Sequence, residues 1–317
     1  MKAKKSKKSE LSSGKIRAVL LFSGGLDSIL AAKILEGQGI KVTALALTSY
    51  FFNADQAKET AKENNIKLKI ADFSKEHFKI VKNPRFGRGS GLNPCVDCHL
   101  LMLKEAKKIA KKSGYDFIAT GEVLGQRPMS QNLEMFELIE KKSRLERNIL
   151  RPLSAKLLPI TVAEEMGIID RKKLYAFSGR SRKEQIGLAK KMGIKKYPSP
   201  AGGCILTDKE YSRKLKKLTK KIRVIGKSDI ELLRIGRHFW VGKTRVIIGR
   251  NHKENLQLEK LAEKGDMLVE LKGVPGPLAL IRGRDKRGGV AVAKKKIIAY
   301  AKKLKSKFPE FRIIKKQ

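Results

Sequence analysis

The feature that most restricts the fold of this chain is an apolar run that ends in a glycine turn and leads directly into a helix-like segment. Residues 16–22 (IRAVLLF) form an apolar run of strand length, and residues 26–35 repeat apolar side chains with a helical period. The turn between them, residues 23–28, reads SGGLDS. A strand, a glycine turn and a helix in this order predict a unit in which the helix packs back onto a sheet.

This alternation of strand-like and helix-like segments continues through the first two-thirds of the chain. The further strand-like runs are residues 41–47, 68–72 and 117–119. The further helix-like segments are residues 54–64, 100–112 and 181–192. Their order predicts an α/β fold with a parallel sheet covered by helices, in which functional side chains gather at the carboxyl ends of the strands.

The sequence pattern changes after residue 206. Residues 209–227 contain nine Lys or Arg and one Glu, and shorter strand-like and helix-like runs follow them. The strand-like runs are 239–241, 245–248 and 267–271, and the helix-like segments are 254–263 and 290–303. We predict three parts: a disordered basic arm over residues 1–14, an α/β domain over 15–206 and a small α+β module over 207–317.

The net charge and the cysteine count indicate the partner and the compartment. The chain has 72 Lys plus Arg against 31 Asp plus Glu, a formal charge of +41, which favours a polyanionic partner. The sequence has no apolar stretch of bilayer length and no leader-like apolar segment, so we expect nucleic acid and no membrane. The three cysteines are an odd number, which is not typical of a secreted disulfide protein, so we expect a cytoplasmic protein.

The SGGLDS turn has the properties of a phosphate-binding loop. Its two glycines allow backbone N–H groups to close on an anion, and the following helix N-terminus adds its dipole. The loop lacks the lysine of GxxxxGK[ST] loops and does not match GxGxxG. The alternative interpretation is an incidental glycine turn, which the flanking strand and helix disfavour.

An SGGxDS loop in this setting resembles the pyrophosphate (PP) loop of the ATP pyrophosphatases, which split ATP between its α and β phosphates. The resemblance implies an adenine nucleotide alpha hydrolase-like fold with ATP and Mg²⁺ as ligands. It implies that Asp27 holds or orients the Mg²⁺ ion. The residues that it implies for pyrophosphate are Ser23, Gly24, Gly25 and Ser28. Those that it implies for adenosine are Leu47, Thr48, Thr120 and Gly121.

The cysteines form a second candidate site. Cys95 and Cys98 precede the helix-like segment 100–112, and Cys204 lies in a glycine-flanked loop. Because helix N-termini lower thiol pKa values, we expect Cys95 and Cys98 to be thiolates near neutral pH. Three thiolates can hold a [4Fe–4S] cluster and leave one iron for an external ligand. A persulfide relay and inert packing are the alternatives, and zinc is disfavoured because His99, directly after Cys98, is an awkward fourth ligand.

Three motifs resemble those of tRNA 4-thiouridine synthases: NPCVDC, TGEVLGQ (residues 120–126) and RPMSQ (residues 127–131). The first motif, with a later glycine-flanked cysteine, also resembles the tRNA 2-thiouridylases. The resemblance covers residues 16–206 and implies an ATP-dependent tRNA sulfurtransferase in which Cys95, Cys98 and Cys204 carry the sulfur chemistry. It implies tRNA and a sulfur donor, either free sulfide or a sulfur carrier, as partners. The usual 4-thiouridine synthase has an RNA-binding region before the phosphate loop. In this sequence only 22 residues precede Ser23.

The C-terminal module offers a different RNA-binding region. Residues 237–258 (RHFWVGKTRVIIGRNHKENLQL) resemble the RNA-binding domain of NFACT-type ribosome quality-control proteins. Aromatic side chains beside cations bind unpaired bases and phosphates. The candidate RNA-binding residues here are Arg237, Trp240, Lys243, Arg245 and Arg250, with Phe239 as a further stacking surface. A second basic cluster is Arg180, Arg182 and Lys183, for which a solvated helix start is the alternative interpretation.

Two other functions compete with tRNA thiolation. The first is an ATP-dependent ligase or amidating enzyme of the same fold, which the CxxC motif disfavours. The second is a non-catalytic RNA- or ribosome-binding factor whose loop senses a nucleotide, which the C-terminal module suggests. RNA-stimulated conversion of ATP to AMP distinguishes an enzyme from a binding factor.

Overall fold

The computed structural model describes residues 16–199, 203–301 and 309–316, and the chain divides into two compact units, Met1–Thr207 and Asp208–Gln317. The predicted basic arm over residues 1–14 lies outside the described residues. No helix of the described part is both long and apolar enough to cross a lipid bilayer.

The first unit contains a five-stranded sheet in which every pair of neighbouring strands is parallel. The strand order is β3-β2-β1-β4-β5. The strands are β1 (Arg17–Leu21), β2 (Lys41–Thr48), β3 (Leu68–Asp72), β4 (Phe117–Thr120) and β5 (Ile149–Leu150). Because the chain moves outward from β1 to β3 and then restarts at β4 on the other side, the order reverses between β1 and β4. Such a switch point opens a crevice at the carboxyl ends of the strands.

Helices cover both faces of this sheet. They are α1 (Leu26–Glu36), α2 (Asp55–Glu63), α3 (Ser74–Lys82), α4 (Cys95–Ser113), α5 (Leu133–Ser143), α6 (Val162–Glu165) and α7 (Lys183–Lys191). One face of the sheet packs with α1 and α7 in one hydrophobic cluster, and the other packs with α4 and α5 in a second cluster. The central strand contributes to both, since Leu20 faces the first and Val19 the second, and both are fully buried. The continuously apolar sequence of β1 follows from this burial on two sides.

The second unit contains a five-stranded antiparallel sheet of order β10-β8-β9-β7-β6. The strands are β6 (Arg237–Val241), β7 (Thr244–Ile248), β8 (Met267–Leu271), β9 (Ala279–Arg282) and β10 (Phe311–Lys315). The helices are α8 (Lys209–Lys221), α9 (Lys227–Glu231), α10 (His252–Leu261) and α11 (Lys286–Tyr300). One face of the sheet packs on α11 through Ala293 and Ile297, and the other packs on α10 through Leu258. The predicted fold class, a parallel α/β domain with a small α+β unit, is confirmed.

Acidic or amide side chains fix the starts of three helices in the second unit. Asp208 Oδ1 accepts from the Tyr211 N–H at 2.6 Å, Asn251 Oδ1 accepts from the Glu254 N–H at 3.0 Å, and Asp285 Oδ1 accepts from Gly288 N–H at 2.9 Å. Each bond satisfies a backbone donor that the helix itself leaves unpaired. Helix α8 therefore begins at a defined residue, although its sequence is dominated by lysine and arginine.

The starts of two helices differ by four or more residues from those that the sequence pattern predicts. Helix α4 begins at Cys95, five residues before the predicted start at Leu100, so the CxxC motif forms its first turn. Helix α11 begins at Lys286, before the predicted start at Val290, because Asp285 caps it and its glycines are tolerated in the first turn. The residues 302–303 of the predicted C-terminal helix lie outside the described part of the chain.

Candidate active site

The SGGLDS loop connects β1 to α1 at the switch point of the parallel sheet. The Gly25 carbonyl oxygen accepts from the backbone N–H of Ser28 at 3.0 Å and from its hydroxyl at 2.7 Å. The Ser23 hydroxyl oxygen accepts from the Gly25 N–H at 3.2 Å. The loop is therefore closed by its own short-range hydrogen bonds, and the first turn of α1 begins immediately after it.

Two glycines are required here by close backbone approach. Gly24 has φ +79°, and a Cβ on it would lie 2.7 Å from the Thr60 hydroxyl oxygen of α2. Gly121 follows β4, and a Cβ on it would lie 2.7 Å from both the Cα and the backbone N of Ser28. Gly121 is thus a site of contact between the end of β4 and the start of α1, which the sequence pattern could equally explain as a simple turn. Only a residue without a side chain allows the two elements to meet at this distance.

We expect Gly121→Ala to destabilise the protein and weaken ATP binding. The added methyl group meets backbone atoms, which cannot move without displacing the loop, so the cost is about 1–3 kcal/mol. The matched control is Gly187→Ala in α7, where a Cβ meets nothing within 4 Å. That control should raise stability by about 0.5–1 kcal/mol because alanine favours a helix over glycine. Urea unfolding measures both, and equal effects at the two positions would contradict the close-contact interpretation.

A cavity of about 390 Å³ opens at the carboxyl ends of β1, β2 and β4. The loop residues Ser23, Gly25, Asp27 and Ser28 form one side of it. Other predicted ligand residues on its wall are Leu47, Thr120 and Gly121. Apolar side chains from several elements complete it: Phe22, Phe52, Ala54, Ala57 and Met102. A phosphate loop beside an apolar wall matches the two chemical halves of a nucleotide, its phosphates and its base.

Two predicted ligand residues lie outside this wall. The Thr48 hydroxyl donates to Asp72 Oδ1 on the neighbouring strand β3 at 3.3 Å. Gly24 packs against α2, so it contributes to the shape of the loop.

Asp27 carries an oxygen that is suited to a cation. Its Oδ2 accepts from Gln126 Nε2 at 3.0 Å, whereas its Oδ1 is buried and has no hydrogen-bond partner among the described residues. A buried carboxylate oxygen without a partner is costly unless a cation or another donor satisfies it. The residues present therefore fit a Mg²⁺ ion, which prefers carboxylate oxygen and phosphate ligands.

A buried ionic network supports the floor of the cavity. Glu122 Oε2 accepts from Arg151 Nε and from the Thr120 hydroxyl, both at 3.0 Å, and Glu122 Oε1 lies 2.8 Å from His99 Nδ1. Arg151 also donates from Nη1 to Glu140 Oε1 at 2.5 Å. Burial alone would raise the pKa of Glu122, but Arg151 and His99 outweigh it and lower the pKa to about 2. Glu122 is therefore a permanent anion that holds His99 and Arg151 in place.

Replacement of Glu122 by glutamine should destabilise the protein and change its acid sensitivity. Since the folded pKa is about 2 against an ordinary value of 4.5, the charged form stabilises the fold fully above pH 4.5 and is lost toward pH 2. The expected loss at neutral pH is at least about 1 kcal/mol, less than the roughly 3–5 kcal/mol of an orphaned buried ion because Glu140 remains on Arg151.

Chemical denaturation at a series of pH values tests this expectation. The difference in unfolding free energy between the wild type and Glu122→Gln should narrow as the pH falls from 4.5 toward 2. The control is Glu105→Gln in α4, whose partner Lys108 is largely exposed, so a change below about 1 kcal/mol is expected. A pH-independent difference for Glu122→Gln would show that the network does not depend on its charge.

The three cysteines approach one another beside the cavity. The loop before α4 is tied to the segment around Cys204, since the Leu92 N–H donates to the Leu206 carbonyl oxygen at 2.8 Å. Cys95 and Cys204 both act electrostatically on Cys98, which requires that all three lie close together. Within the described residues, however, no three His, Cys, Asp or Glu side chains converge tightly enough to hold a single metal ion.

Two neighbours connect these cysteines to the cavity. His99 follows Cys98 in α4 and lines the cavity wall. Arg127 also lines the cavity, and its positive charge acts on Cys95. The thiols at the start of α4 therefore lie next to the space that the phosphate loop borders.

The prediction that Cys95 and Cys98 are thiolates near neutral pH is wrong for the protein without a bound metal. Burial raises the pKa of Cys95, more than the hydrogen bond from Asn93 and the charge of Arg127 lower it. Burial also raises the pKa of Cys98, and the neighbouring Cys204, Cys95 and Asp97 add to this rise. The helix N-terminus is outweighed because both thiols leave water and repel one another when charged.

The predicted RNA-binding residues of the second unit separate into two groups. Arg237, Trp240 and Arg250 line one surface cleft, and Lys243 is exposed in the turn between β6 and β7. Arg245 does not belong with them, which corrects the prediction. Its side chain is 2% exposed and donates to Asp229 Oδ1 at 2.7 Å, so it stabilises the fold instead of reaching a ligand. Strand alternation places Arg245 on an inner face, where Asp229 balances its charge.

The basic cluster of the first unit lies on the loop before α7 and at the first residue of that helix. Arg180 and Lys183 are exposed, and Arg182 is half-buried. This loop is tied to the TGEVLGQ segment, because the Gly179 N–H donates to the Leu124 carbonyl oxygen at 2.7 Å. The cluster is therefore fixed to the segment that carries Glu122 and Gln126.

Sequence reasoning did not assign roles to four residues of the site. They are Glu122, Gln126, Arg127 and Arg151. The first three lie within the TGEVLGQ and RPMSQ motifs, so the motifs themselves were the available signal. Arg151 has no such signal, because only the fold brings it to Glu122.

Comparison with known proteins gives the family of this chain. A family model described as thiamine biosynthesis protein (ThiI) matches residues 12–170, which is half of the 317 residues. The chain belongs to the ThiI family. A second family model, described as NFACT protein RNA binding domain, matches residues 236–316. The resemblance to the tRNA 4-thiouridine synthases and the resemblance to the NFACT RNA-binding domain are thereby confirmed.

Several proteins similar to this ThiI-family chain are named probable tRNA sulfurtransferase. That of Finegoldia magna is 31% identical over 162 residues, covering 48% of this chain and 39% of that protein. That of Halothermothrix orenii is 30% identical over 176 residues, covering 50% and 40%. The chain thus spans about two-fifths of the length of these relatives. A solved 4-thiouridine synthetase–RNA complex with bound ATP is 22% identical, covers 56% of this chain and 41% of that one, and has a TM-score of 0.40.

Proposed function

We propose that this ThiI-family protein is an ATP-dependent tRNA thiouridine synthase that adenylates a uridine carbonyl and replaces its oxygen with sulfur. The observation that carries the proposal is a cavity that the phosphate loop borders, with the cysteines at the start of α4 next to it. Arg127 and His99 line the same cavity wall as Ser23 and Asp27, and they adjoin Cys95 and Cys98. The probable tRNA sulfurtransferases that share sequence with this region support the same activity.

In this proposal residues 15–206 form the catalytic domain and residues 207–317 the RNA-binding domain. The match of residues 236–316 to an RNA-binding family model supports the second assignment. The net charge of +41 supports tRNA as the partner of the whole chain. We place the protein in the cytoplasm, where its tRNA substrate is found.

The first step is the attack of the uridine carbonyl oxygen on the α-phosphate of ATP, which releases pyrophosphate and leaves AMP on that oxygen. Ser23, Gly25 and Ser28 would bind the departing pyrophosphate through backbone N–H and hydroxyl groups at the start of α1, and Gly24 would shape the loop. Leu47, Thr120 and Gly121 would contact the adenosine, with Thr48 behind them. Asp27 would hold a Mg²⁺ ion through its unpaired Oδ1, and the ion when bound supplies charge stabilisation of the phosphates.

The second step is the attack of sulfur on the activated uridine carbon, which displaces AMP. The electron pair of the C–O bond leaves with the phosphate. The incoming sulfur therefore brings the electron pair of the new C–S bond, and free sulfide or a sulfur carrier is the co-substrate. Cys95, Cys98 and Cys204 would carry or position that sulfur at the edge of the cavity. Arg127 would stabilise the negative charge of the approaching sulfur and of the departing phosphate, because it is exposed and faces both groups.

The cysteine trio fits a [4Fe–4S] cluster better than a single ion. A cluster holds its thiolates on separate irons, so the sulfur atoms stand farther apart than around one metal. The support for a cluster is the set of three thiols, of which Cys95 and Cys204 both act electrostatically on Cys98. When bound, such a cluster would supply one iron without a protein ligand, where an external sulfide can bind. Binding of iron would also lower the thiol pKa values that burial raises.

The two competing functions predict different products. A ligase or amidating enzyme would pass the adenylate to a nitrogen nucleophile and would have no use for cysteines beside its cavity. A non-catalytic RNA- or ribosome-binding factor would bind ATP without releasing pyrophosphate.

Incubation of unmodified tRNA with the protein, ATP, Mg²⁺ and sulfide tests the proposal. We expect RNA-stimulated release of pyrophosphate and a thiouridine in the nucleosides, detected by mass spectrometry. Pyrophosphate release without any thiouridine would favour the ligase, and neither product would favour the binding factor.

A further inference from the structure

A basic cleft of about 540 Å³ lies in the second unit between α8 and β6. One wall is a single face of α8, since its lining residues recur at helical spacing: Glu210, Arg213, Lys214 and Lys217. The other wall is residues 236–240, a continuous stretch that leads into and includes most of β6. The cleft is therefore an elongated channel with a helix on one side and a strand on the other.

The strand wall is the edge of the antiparallel sheet. β6 is last in the order β10-β8-β9-β7-β6 and pairs with β7 on one side. Alternate backbone N–H and C=O groups of an edge strand point away from the sheet. Residues 236–240 of this edge line the cleft opposite the cations of α8. Backbone N–H groups facing lysine and arginine are the donors that bind phosphate oxygens.

The cations on the helix wall are available to a ligand. Arg213 and Lys217 are exposed, and neither has a carboxylate partner within the described part of the chain. Lys214 is different: its ammonium pairs with Glu210 at 3.0 Å and approaches the Gly236 carbonyl oxygen at 3.4 Å, which fastens α8 to the start of β6. Arg237 also lines the cleft and is exposed, but its guanidinium stacks on the Tyr300 ring of α11 at 4.4 Å.

The floor of the cleft is aromatic and uncharged. Burial lowers the pKa of His238 to about 3, and the charges of Arg245 and Lys214 act in the same direction. Trp240 is half-buried, and the Lys221 ammonium lies 5.6 Å from its ring centroid. An aromatic surface between rows of cations offers a base a ring on which to stack while its phosphate is held.

We propose that this cleft binds a single-stranded segment of RNA by its phosphate backbone, with one base stacked on Trp240. The inference deepens the proposed function, because it rests on RNA being the substrate and specifies where and in what form the second unit holds it. It also extends the RNA-binding surface beyond residues 236–316 of the matched family model, since α8 supplies the helix wall. A channel with phosphate donors on both sides and one stacking ring suits an unpaired strand better than a stiff duplex.

Intrinsic fluorescence of the full chain tests the proposal directly, because Trp240 is the sole tryptophan of the sequence. A short oligouridylate should quench its emission and bind with an affinity that falls steeply with salt. The double variant Arg213→Gln/Lys217→Gln should bind about 10-fold more weakly, and its log–log salt slope should be smaller by about 1.4, since each single-strand phosphate contact contributes about 0.7.

The matched control removes two lysines of the same helix that do not line the cleft. Lys209→Gln/Lys216→Gln has the same change in charge on exposed positions of α8, and its affinity should change less than about twofold because charges off the contact surface are screened. Equal losses in the two double variants, unchanged tryptophan emission at saturation, or tighter binding of a duplex of the same length would each overturn the proposal. Oligouridylate binding in a protein that forms no thiouridine would refute the proposed function and leave this inference standing.

Discussion

Replacement of Asp27 by asparagine should reduce ATP cleavage by about 10²–10³-fold while tRNA affinity is unchanged. Asparagine keeps the shape of the side chain and an oxygen that can accept from Gln126, but it removes the negative charge beside the phosphate loop. Because the Asp27 Oδ1 is buried without a partner, that charge has no other evident use in the structure. Pyrophosphate release in the presence of tRNA measures the effect, and a binding titration with tRNA measures affinity.

The control for Asp27 is Glu59→Gln, which removes one exposed carboxylate from the neighbouring helix α2. Its rate of pyrophosphate release should equal that of the wild type, since the group lies in water and away from the cavity wall. An Mg²⁺ titration adds a second readout: the Asp27→Asn protein should need more Mg²⁺ for half-maximal rate. Normal turnover of the Asp27→Asn protein would refute the role of Asp27 in phosphate chemistry.

Replacement of Cys204 by alanine should stop thiouridine formation completely while pyrophosphate release and RNA binding persist. The two steps separate because Cys204 acts on Cys98 and lies with the cysteine group, whereas we assign the phosphate chemistry to Ser23 to Ser28. Mass spectrometry of the tRNA nucleosides measures sulfur insertion, and the same reaction mixture gives the pyrophosphate. Normal thiolation by the Cys204→Ala protein would contradict a mechanism that needs all three cysteines.

Single variants of all three cysteines distinguish a cluster from a persulfide relay. If the trio holds a cluster, then Cys95→Ala, Cys98→Ala and Cys204→Ala should each lower the iron and sulfide bound after anaerobic reconstitution. If one cysteine instead carries a persulfide, a donor of sulfane sulfur must supply the outer sulfur atom. The protein should then bind no iron in any variant, and one thiol should show an added sulfur by mass spectrometry after incubation with that donor. Retention of full iron content by all three variants would place any bound iron elsewhere.

The amino-acid sequence by itself determined the order of β1 to β4 and of helices α1, α2, α4 and α7 in the first unit, whereas α3, α5, α6 and β5 were not predicted. β3 and β8 have the bounds that their apolar runs predict, because each run is short and ended by polar or glycine residues. The SGGLDS turn also predicts the loop, since glycine readily adopts the left-handed conformation that Gly24 has, with φ +79°. Local pattern is sufficient where a structure depends on neighbouring residues alone.

Short elements and long-range contacts needed the tertiary structure. β5 is two residues long and exists only because β4 offers it a pairing edge. The sequence around Gly121 is compatible with a simple turn. In the fold, Gly121 lets β4 approach α1, although these two elements are far apart in the chain. The partners of Glu122 come from α4 and from the segment after β5, so no spacing in the sequence could reveal them.

The candidate residues also show which properties the sequence determined and which the fold decided. The sequence determined that this is a strongly cationic ThiI-family chain with a phosphate loop and three cysteines, because composition and local motifs carry that information. Only the fold decided that Arg245 is an inner structural cation and that Arg213 and Lys217 face an open cleft. It likewise decided that Cys95 and Cys98 are buried enough to raise their pKa values. The physical reason is that solvent exposure and ionic partners depend on which segments pack together, and a chain position does not specify its neighbours in space.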